Sequence, residues 1–573
     1  MQSVKTFFLF IGFFLSFING NYAQENQSST SESGTDSTVM MTTEAAAESV
    51  AETVQSAAEM GWDERIDKAF APYAAAWEGI VLYSVPLGGQ KIPLVVIILV
   101  LGALFFTLYF AFINIRRFPL AINVVRGKYD EIEKVRDTKP EIHEVFEVDG
   151  DIVHTIRDES KDGEVSHFQA LATAVSGTVG LGNIAGVSLA IALGGPGATF
   201  WMIICGLLGM SLKFVECTLG VKYRDVDENG VVFGGPMYYL SKGLREKGYE
   251  NMGKVLAVLF AILCIGGSFG GGNAAQSNQA ASQLASMLGM TSGSAGTVIG
   301  VLLAIVVGIV IIGGIKRIAS VTEKIVPFMA IIYIGACIFI IFSNFSYIDD
   351  ALGQIVTQAF NPQAGLGGLF GVLVIGFRRA AFSNEAGAGS ASIAHSAVKT
   401  KYPASEGLVA LLEPFIDTVV ICTMTALVVI IYNSTGVFQY GAATVNINGV
   451  DVQGSTLTSL AFQNSISWFP YVLTVAIVLF AVSTMISWSY YGLQSWMYLF
   501  GKTKAAELSY KVLFLIFIII GAAASMESVW GFSDAMILAM VFPNMVGLMF
   551  LYPEVKKELN AYLDAIGVNR FFK

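Results

Sequence analysis

The sequence predicts an all-α polytopic membrane protein with about eleven transmembrane helices. One is an N-terminal extra helix; ten form a five-plus-five inverted-repeat core with two discontinuous helices. Three observations point there. Of 573 residues, 54% are hydrophobic and only 14% charged, with a mean hydropathy of +0.63. Apolar runs long enough to cross a hydrocarbon layer of roughly 30 Å recur along the chain. Two of these runs, each heading a set of five, carry glycines and polar residues in their middles.

Met1 to Ala23 reads as a secretory signal. Lys5 is the basic head, Thr6 to Ile18 is apolar but short for a span, and Asn21-Tyr-Ala23 offers a small residue for cleavage; an uncleaved anchor is the alternative. Residues 24–64 form a Ser/Thr/Ala/Glu-rich tail. No Lys or Arg falls between Lys5 and Arg65, whereas Glu25, Glu32, Asp36 and Glu44 do. The tail is predicted to be disordered and extracytoplasmic. It carries much of the net charge of −10, and no basic patch suits nucleic acid.

Within 65–117 the first span runs from Ile92 to Ile115 and ends in Arg116-Arg117, which marks the cytoplasmic end. Residues 118–165 are charged and read as a cytoplasmic loop or small subdomain, with His143 and His154 solvated among carboxylates. The first repeat, 166–345, holds spans at 167–193, 196–221, 254–284, 296–314 and 325–343. An external loop covers 346–366. The second repeat, 367–552, holds 367–398, 405–432, 470–499, 507–524 and 533–551, and 553–573 is a cytoplasmic tail. Lys222, Arg224, Lys316, Arg317, Lys399, Lys401, Lys502 and Lys504 follow inward-running spans, while 344–366 and 433–466 contain no Lys or Arg. The N-terminus is therefore expected outside and the C-terminus inside a cell (cytoplasmic or inner) membrane.

The first core span carries Gly177, Gly180, Gly182 and Gly186 at its centre. Glycine inside a helix costs about 1 kcal/mol relative to alanine, so this centre is predicted to unwind. Unwound backbone survives in a bilayer only where protein encloses it or it lines a site. The span from 367 repeats the anomaly with Arg378, Arg379, Ser383, Asn384, Glu385, Gly376, Gly387 and Gly389. Five spans per unit is odd, so the two units have opposite topology, an arrangement that secondary carriers use. The span at 254–284 is also glycine-rich (Gly266, Gly267, Gly270, Gly271, Gly272); there close helix packing is the preferred reading.

A helix break suits a carboxylate through its free N–H groups and half-helix dipole. Thr178, Val179, Gly180 and Gly182 are placed at the break. Asn183 either reaches a solute or satisfies local backbone. Gln276 is polar inside an apolar span, and either touches solute or joins helices. Adjacent hydroxyls at Ser483 and Thr484 supply hard oxygens for a cation, unless they bond only to the preceding turn. Trp488, four residues on, shares the Thr484 face and either limits cavity size or packs. Arg378, Arg379 and Glu385 cannot face lipid; a gating or structural lock is preferred to substrate binding. Glu216, Glu413 and Asp417 are candidate proton or ion groups near the wet ends of spans.

The five cysteines lie in apolar runs at irregular spacing and read as small core residues. Gly180-Leu-Gly-Asn-Ile-Ala-Gly186 has one residue too many for a dinucleotide fingerprint, and Gly501-Lys-Thr503 lacks the first glycine of a phosphate loop, with Trp at 496. Ser390 and His395 sit five apart on one helix, poorly aligned for an intramembrane hydrolase. No ring of charge suggests a channel. Neither an enzymatic activity nor a cofactor is expected.

Several segments resemble the alanine or glycine:cation symporter family: Ser166-His-Phe-Gln-Ala170, Thr178-Val-Gly-Leu-Gly-Asn-Ile-Ala-Gly186, Gly194-Gly-Pro-Gly-Ala198, Phe233-Gly-Gly-Pro-Met237, Gly376-Phe-Arg-Arg379, Phe382-Ser-Asn-Glu-Ala386 and Ser487-Trp-Ser-Tyr-Tyr-Gly492. The likeness runs from about 165 to 552. It implies the inverted-repeat fold of the amino acid–polyamine–cation superfamily and sodium- or proton-driven uptake of L-alanine, glycine or similar small neutral amino acids. It implies Asn183, Gln276 and Trp488 around the substrate. For sodium, the coupling ion, it implies Ser483 and Thr484 with backbone of Gly177, Gly180 and Phe480. The family usually continues the tyrosine pair as Tyr-Tyr-Gly-Glu, whereas position 493 here is Leu. The acidic tail and the 118–165 insert are longer than the family pattern.

Overall fold

The computed structural model describes residues 61–87, 90–133, 147–148, 151–152, 164–227, 230–360 and 368–569. The signal segment, nearly all of the acidic tail, and His143 and His154 lie outside the described residues.

A helix α1 (Trp62–Val81) leads to an antiparallel hairpin of β1 (Ser84–Leu87) and β2 (Gln90–Pro93), then to α2 (Leu94–Tyr109). The acidic tail was expected to run to 64 and the first span to start at 92. Both boundaries move: the amphipathic run from Trp62 packs as a helix, and Pro93 ends the hairpin and starts α2.

The charged segment after Arg117, expected as a loop or small subdomain, opens as α3 (Phe118–Val125). Its Leu120, Ala121 and Val124 are buried. A single turn, Asp130–Glu133, follows.

The first interrupted span is α4 (His167–Thr178) and α5 (Ala185–Gly194). The two halves bend by 56°. Ser166 starts α4 with a reciprocal cap, its hydroxyl accepting from the Gln169 N–H while the Gln169 side chain accepts from the Ser166 N–H. Next come α6 (Gly197–Lys222), α7 (Glu250–Phe269) with α8 (Ala275–Leu288), α9 (Ala295–Ile311) and α10 (Gly314–Ser343).

The region 346–366, expected as a loop, contains α11 (Ile348–Phe360), which buries Ala351, Ile355 and Ala359. The second interrupted span is α12 (Gly368–Asn384) and α13 (Ala391–His395). Then α14 (Pro403–Ala410) leads through a wide-turned stretch, Phe415–Cys422, into α15 (Thr423–Tyr432). Residues 433–466, also expected as an open loop, hold the hairpin β3 (Val445–Ile447) and β4 (Val450–Val452), and α16 (Gly454–Ser465). That helix is pinned to the first interrupted span: Ser188 Oγ donates to the Gly454 carbonyl at 2.7 Å, and Thr458 Oγ1 to the Ile184 carbonyl at 3.1 Å. The last elements are α17 (Phe469–Phe500), α18 (Lys504–Ala523), α19 (Met526–Ala539) and α20 (Val541–Ala565). Residues 553–565 of the expected C-terminal tail continue α20, with Val555, Leu559 and Tyr562 buried.

Seven described helices are long and apolar enough to span, and the bent pair makes eight. The shorter apolar helices α2 and α9 lie at two more of the predicted crossings, and the split pair α12–α13 lies at another. The fold is all-α, polytopic and membrane-embedded. Interrupted helices stand at the head of each set of five.

The glycines of 254–284 serve close packing. The helix there widens at Gly270–Ala274. A side chain on Gly272 would overlap Trp488, one on Gly271 would overlap Ile537, and one on Gly266 would overlap Met536.

Candidate functional site

Helical hydrogen bonding in the first interrupted span stops at Val179, whose N–H still reaches the Val175 carbonyl at 2.7 Å. The next donors turn to side chains. The Gly180 N–H donates to Asn183 Oδ1 at 2.9 Å, and the Leu181 N–H to Gln276 Oε1 at 3.0 Å. Gln276 Nε2 in turn donates to the Gly271 carbonyl at 2.8 Å. Gln276 therefore fastens the break to the widened turn of α7–α8.

The second break keeps Glu385, Gly387 and Gly389 at φ of 55°, 90° and 87°. Glycine adopts that region freely. Glu385 does so under strain, which side-chain partners hold in place. Its carboxylate accepts from Trp488 Nε1 at 2.9 Å and from Ser390 Oγ at 2.5 Å.

The two breaks touch. A Cβ on Gly182 would sit 3.3 Å from Ser383 Cα. Asp417 bridges them: its Oδ1 accepts from Asn183 Nδ2 at 2.6 Å and its Oδ2 from Ser383 Oγ at 2.9 Å, with Thr418 Oγ1 donating at 2.6 Å. Thr178, Val179, Asn183, Ser383, Asn384 and Asp417 are all buried. The midpoints are enclosed in protein rather than facing lipid.

From α17, Thr484 Oγ1 donates to the Ser176 carbonyl at 2.9 Å, and Ser176 Oγ donates back to the Ser483 carbonyl at 2.9 Å. A Cβ on Gly180 would lie 2.5 Å from Thr484 Oγ1. The family resemblance implies backbone of Gly177 and Gly180 beside Thr484; the carbonyl that Thr484 contacts belongs to Ser176. Gly177 lies under the Tyr491 phenol instead, 3.0 Å from Oη to a would-be Cβ. Ser483 Oγ bonds within its own helix, to the Phe480 carbonyl at 3.0 Å. So Thr484 reaches across to the first break, while Ser483 takes the alternative of bonding to its preceding turn. Trp488 is buried, with its side chain against Gly267 and Gly272.

Arg378, Arg379 and Glu385 are not one group. Arg378 Nε pairs with Asp534 at 2.8 Å and its Nη2 with Glu78 of α1 at 2.8 Å; Arg379 also pairs with Asp534. Glu385, the first residue past the end of α12, accepts from Trp488 instead. Sequence proximity hid this, because the helix ends between them. Nor are Glu216, Glu413 and Asp417 wet: all three are fully buried. Lys213 pairs with Glu413 at 3.0 Å, and Asn544 Nδ2 donates to Glu216 at 2.8 Å.

The residues missed as site-builders are Asp417 in its bridging role, and Ser176. Both were legible in principle, since Asn183 and Ser383 at depth need a shared acceptor. A cavity of about 410 Å³ opens away from the breaks, lined by Asp63, Asn278, Gln279, Asp451, Gln453 and Met526.

The profile of the sodium:alanine symporter family matches residues 144–569. The sodium/alanine symporter AgcS of Methanococcus maripaludis is 39% identical over 82% of this chain and 94% of its own length. The probable sodium/glutamine symporter GlnT of Bacillus subtilis is 35% identical over 70% of this chain and 78% of its own. The putative sodium/proton-dependent alanine carrier protein YrbD of the same organism is 34% identical over 70% and 81%.

Proposed function

This chain belongs to the sodium:alanine symporter family, and on that premise we propose that it imports small neutral amino acids, L-alanine or glycine, by sodium symport with alternating access. It is a multi-pass membrane transporter and not an enzyme. The observation that carries the reading is the 56° interruption of the first core span, enclosed against a second interruption and met by the Thr484 hydroxyl.

In this reading the amino-acid carboxylate is held at the break formed by Thr178, Val179, Gly180 and Gly182, at the start of the short helical turn Leu181–Asn183, where it takes the Gly180 N–H over from the Asn183 side chain. Asn183 and Gln276 hold the break open, and Trp488 limits side-chain size. Sodium takes the Thr484 hydroxyl together with carbonyls of the α4 end and of Phe480. Cation and solute then stabilise the same closed arrangement, so each raises the affinity for the other by the same factor. Arg378, Arg379, Asp534 and Glu78 form a charged lock at one end of α12. The N-terminus lies outside and the C-terminus inside a cell membrane.

The test is radiolabelled alanine uptake into proteoliposomes, with sodium and proton gradients imposed separately. Saturable uptake driven by sodium alone supports the reading, and Thr484→Ala should remove the sodium dependence without unfolding the protein. Uptake indifferent to sodium would reject the ion assignment; uptake driven by a proton gradient alone would favour proton symport.

A further inference from the structure

A file of ionisable side chains outside the two breaks runs into the middle of the bundle. Glu133, on the turn after α3, accepts from Tyr562 Oη at 2.7 Å and Thr400 Oγ1 at 2.9 Å. Its other neighbour is His167 Nε2, at 2.7 Å. His167 Nδ1 contacts Glu406 Oε2, and Glu406 Oε1 contacts His395 Nδ1 at 2.5 Å. His395 Nε2 then faces Glu413 Oε2 at 3.5 Å, and Glu413 Oε1 pairs with Lys213 at 3.0 Å. Exposure falls along the file, from 5% and 7% at Glu133 and His167 to 0% at Glu406, His395, Glu413 and Lys213. Only one end is near solvent.

The protons can be counted. A carboxylate accepts and a neutral imidazole carries one N–H. The three close nitrogen–oxygen contacts (Glu133–His167, His167–Glu406, Glu406–His395) need three protons, whereas two neutral rings bring two. One additional proton is therefore bound already. The fourth contact is unmade: His395 Nε2 and Glu413 Oε2 are both buried without a hydrogen-bond partner. With Nδ1–H spent on Glu406, two lone pairs face each other there, and one more proton would satisfy both. The groups are strung out singly, and among the described residues no three His, Cys, Asp or Glu side chains converge on a metal position.

Charge balance leans the same way. Lys213 is the file's only fixed cation, and Glu216 and Glu385 act on it as well as Glu413. Of the other titratable groups nearby, Cys217 of α6 and Tyr491 of α17 bring no positive charge, and the Arg224 guanidinium donates to the carbonyls of Ser396, Val398 and Thr400. Unpaired negative charge in such a setting is expensive.

We propose that His395 Nε2 and Glu413 Oε2 form a proton-binding site at the buried end of this file. The arriving proton forms one N–H bond at the Nε2 lone pair and is hydrogen-bonded to Glu413 Oε2, while the Nδ1–H to Glu406 stays in place and no other bond changes. His167 begins α4 and His395 ends α13, so the file ties the same-side halves of both interrupted helices. Proton occupancy therefore favours closure of that face. This consequence, unlike the site itself, rests on the carrier reading above.

Two measurements test it. Nitrogen NMR of the imidazoles in purified full-length protein resolves four histidines, assigned by His→Gln variants. The expected result, with sodium and alanine present, is a His395 ring protonated on both nitrogens at neutral pH, reverting to a single proton in Glu413→Gln. A His395 Nε2 that stays unprotonated over about pH 5 to 8, where histidine switches charge, overturns the site. In proteoliposomes carrying a pH-sensitive dye, sodium-driven alanine uptake should move protons. That signal should be lost in His395→Gln and kept in Glu133→Gln, which lies at the other end of the file. Uptake without proton movement in the parent overturns the proposal and leaves the carrier reading standing. No alanine uptake in the parent rejects the carrier reading instead, and the ring protonation then decides the site alone.

Discussion

Gly180→Ala probes the break at its tightest point. The new methyl would lie 2.5 Å from Thr484 Oγ1 and 2.9 Å from Gln276 Oε1, well inside normal carbon–oxygen contact. The backbone there has φ of −135°, which alanine tolerates, so the effect is collision and not strain. Thr484 cannot yield without leaving the Ser176 carbonyl, nor Gln276 without releasing the Leu181 N–H. Overpacking of this kind costs about 1–3 kcal/mol. If it falls on the solute- and sodium-bound state, affinity drops roughly 5- to 150-fold. Neighbouring glycines provide the calibration. Gly182→Ala meets Ser383 Cα at 3.3 Å and should have a smaller effect. Gly186→Ala meets only Trp530, at 3.4 Å, inside α5, and should stabilise by about 0.5–1 kcal/mol through helix propensity. The assay is sodium-dependent alanine binding to detergent-purified protein, with a thermal melt of each variant. Parent-like binding by Gly180→Ala, or equal losses across all three positions, would refute the placement of the site at this break.

Other perturbations have equally definite outcomes. Asp417→Asn sets an amide donor against the Asn183, Ser383 and Thr418 donors; hydrogen bonds to a charged group are worth about 1.5–3 kcal/mol each, so calorimetric alanine affinity should fall at least about tenfold. Gly272→Ala should abolish monodisperse protein in size-exclusion chromatography, because its methyl overlaps Cβ and Cγ of Trp488, and a second substitution, Trp488→Gly, which removes both atoms, should restore it in part. Burial pushes the Glu133 carboxyl up, but hydrogen bonds from His167, Tyr562 and Thr400 outweigh it and hold the group below its ordinary 4.5. Its stabilisation is complete above that value and is lost as pH falls through the lower folded value. Melting temperature should therefore drop on acidification below 4.5, and less steeply in Glu133→Gln.

The spans were legible because lipid leaves few alternatives: an apolar run must be helical, and unwound backbone must be enclosed. The breaks at Val179 to Ile184 and Glu385 to Ser390 were signalled by Gly180, Gly182, Gly387 and Gly389 together with the polar residues beside them, whereas Gly266 to Gly272 only widen their helix. What fills the gaps between helices was not legible. Residues 346–366 and 433–466 lack charge signals and were read as loops, yet Ile355 and Phe462 find buried partners and fold them. Pairing of charges was equally hidden. Arg379 and Glu385 are six positions apart, but the helix ends between them, so one joins Asp534 and the other Trp488.

Asp417 shows why the two breaks act as one unit. Each interruption leaves polar groups that its own helix cannot satisfy: the Asn183 amide on one side, the Ser383 hydroxyl on the other. In lipid neither can turn to water. One carboxylate on the widened turn Phe415–Cys422 accepts from both, so neither break can shift without stranding a donor on the other. Gln276 does the same between the first break and Gly271. A solute bound at either break would therefore be felt at both, through hydrogen bonds that must be remade together. If the coupling runs this way, Asp417→Asn and Gln276→Leu should each weaken alanine binding, and the double variant should lose less than the sum of the two. Strict additivity would mean the breaks move independently, and the bridging carboxylate would then be only a local satisfier of Asn183 and Ser383.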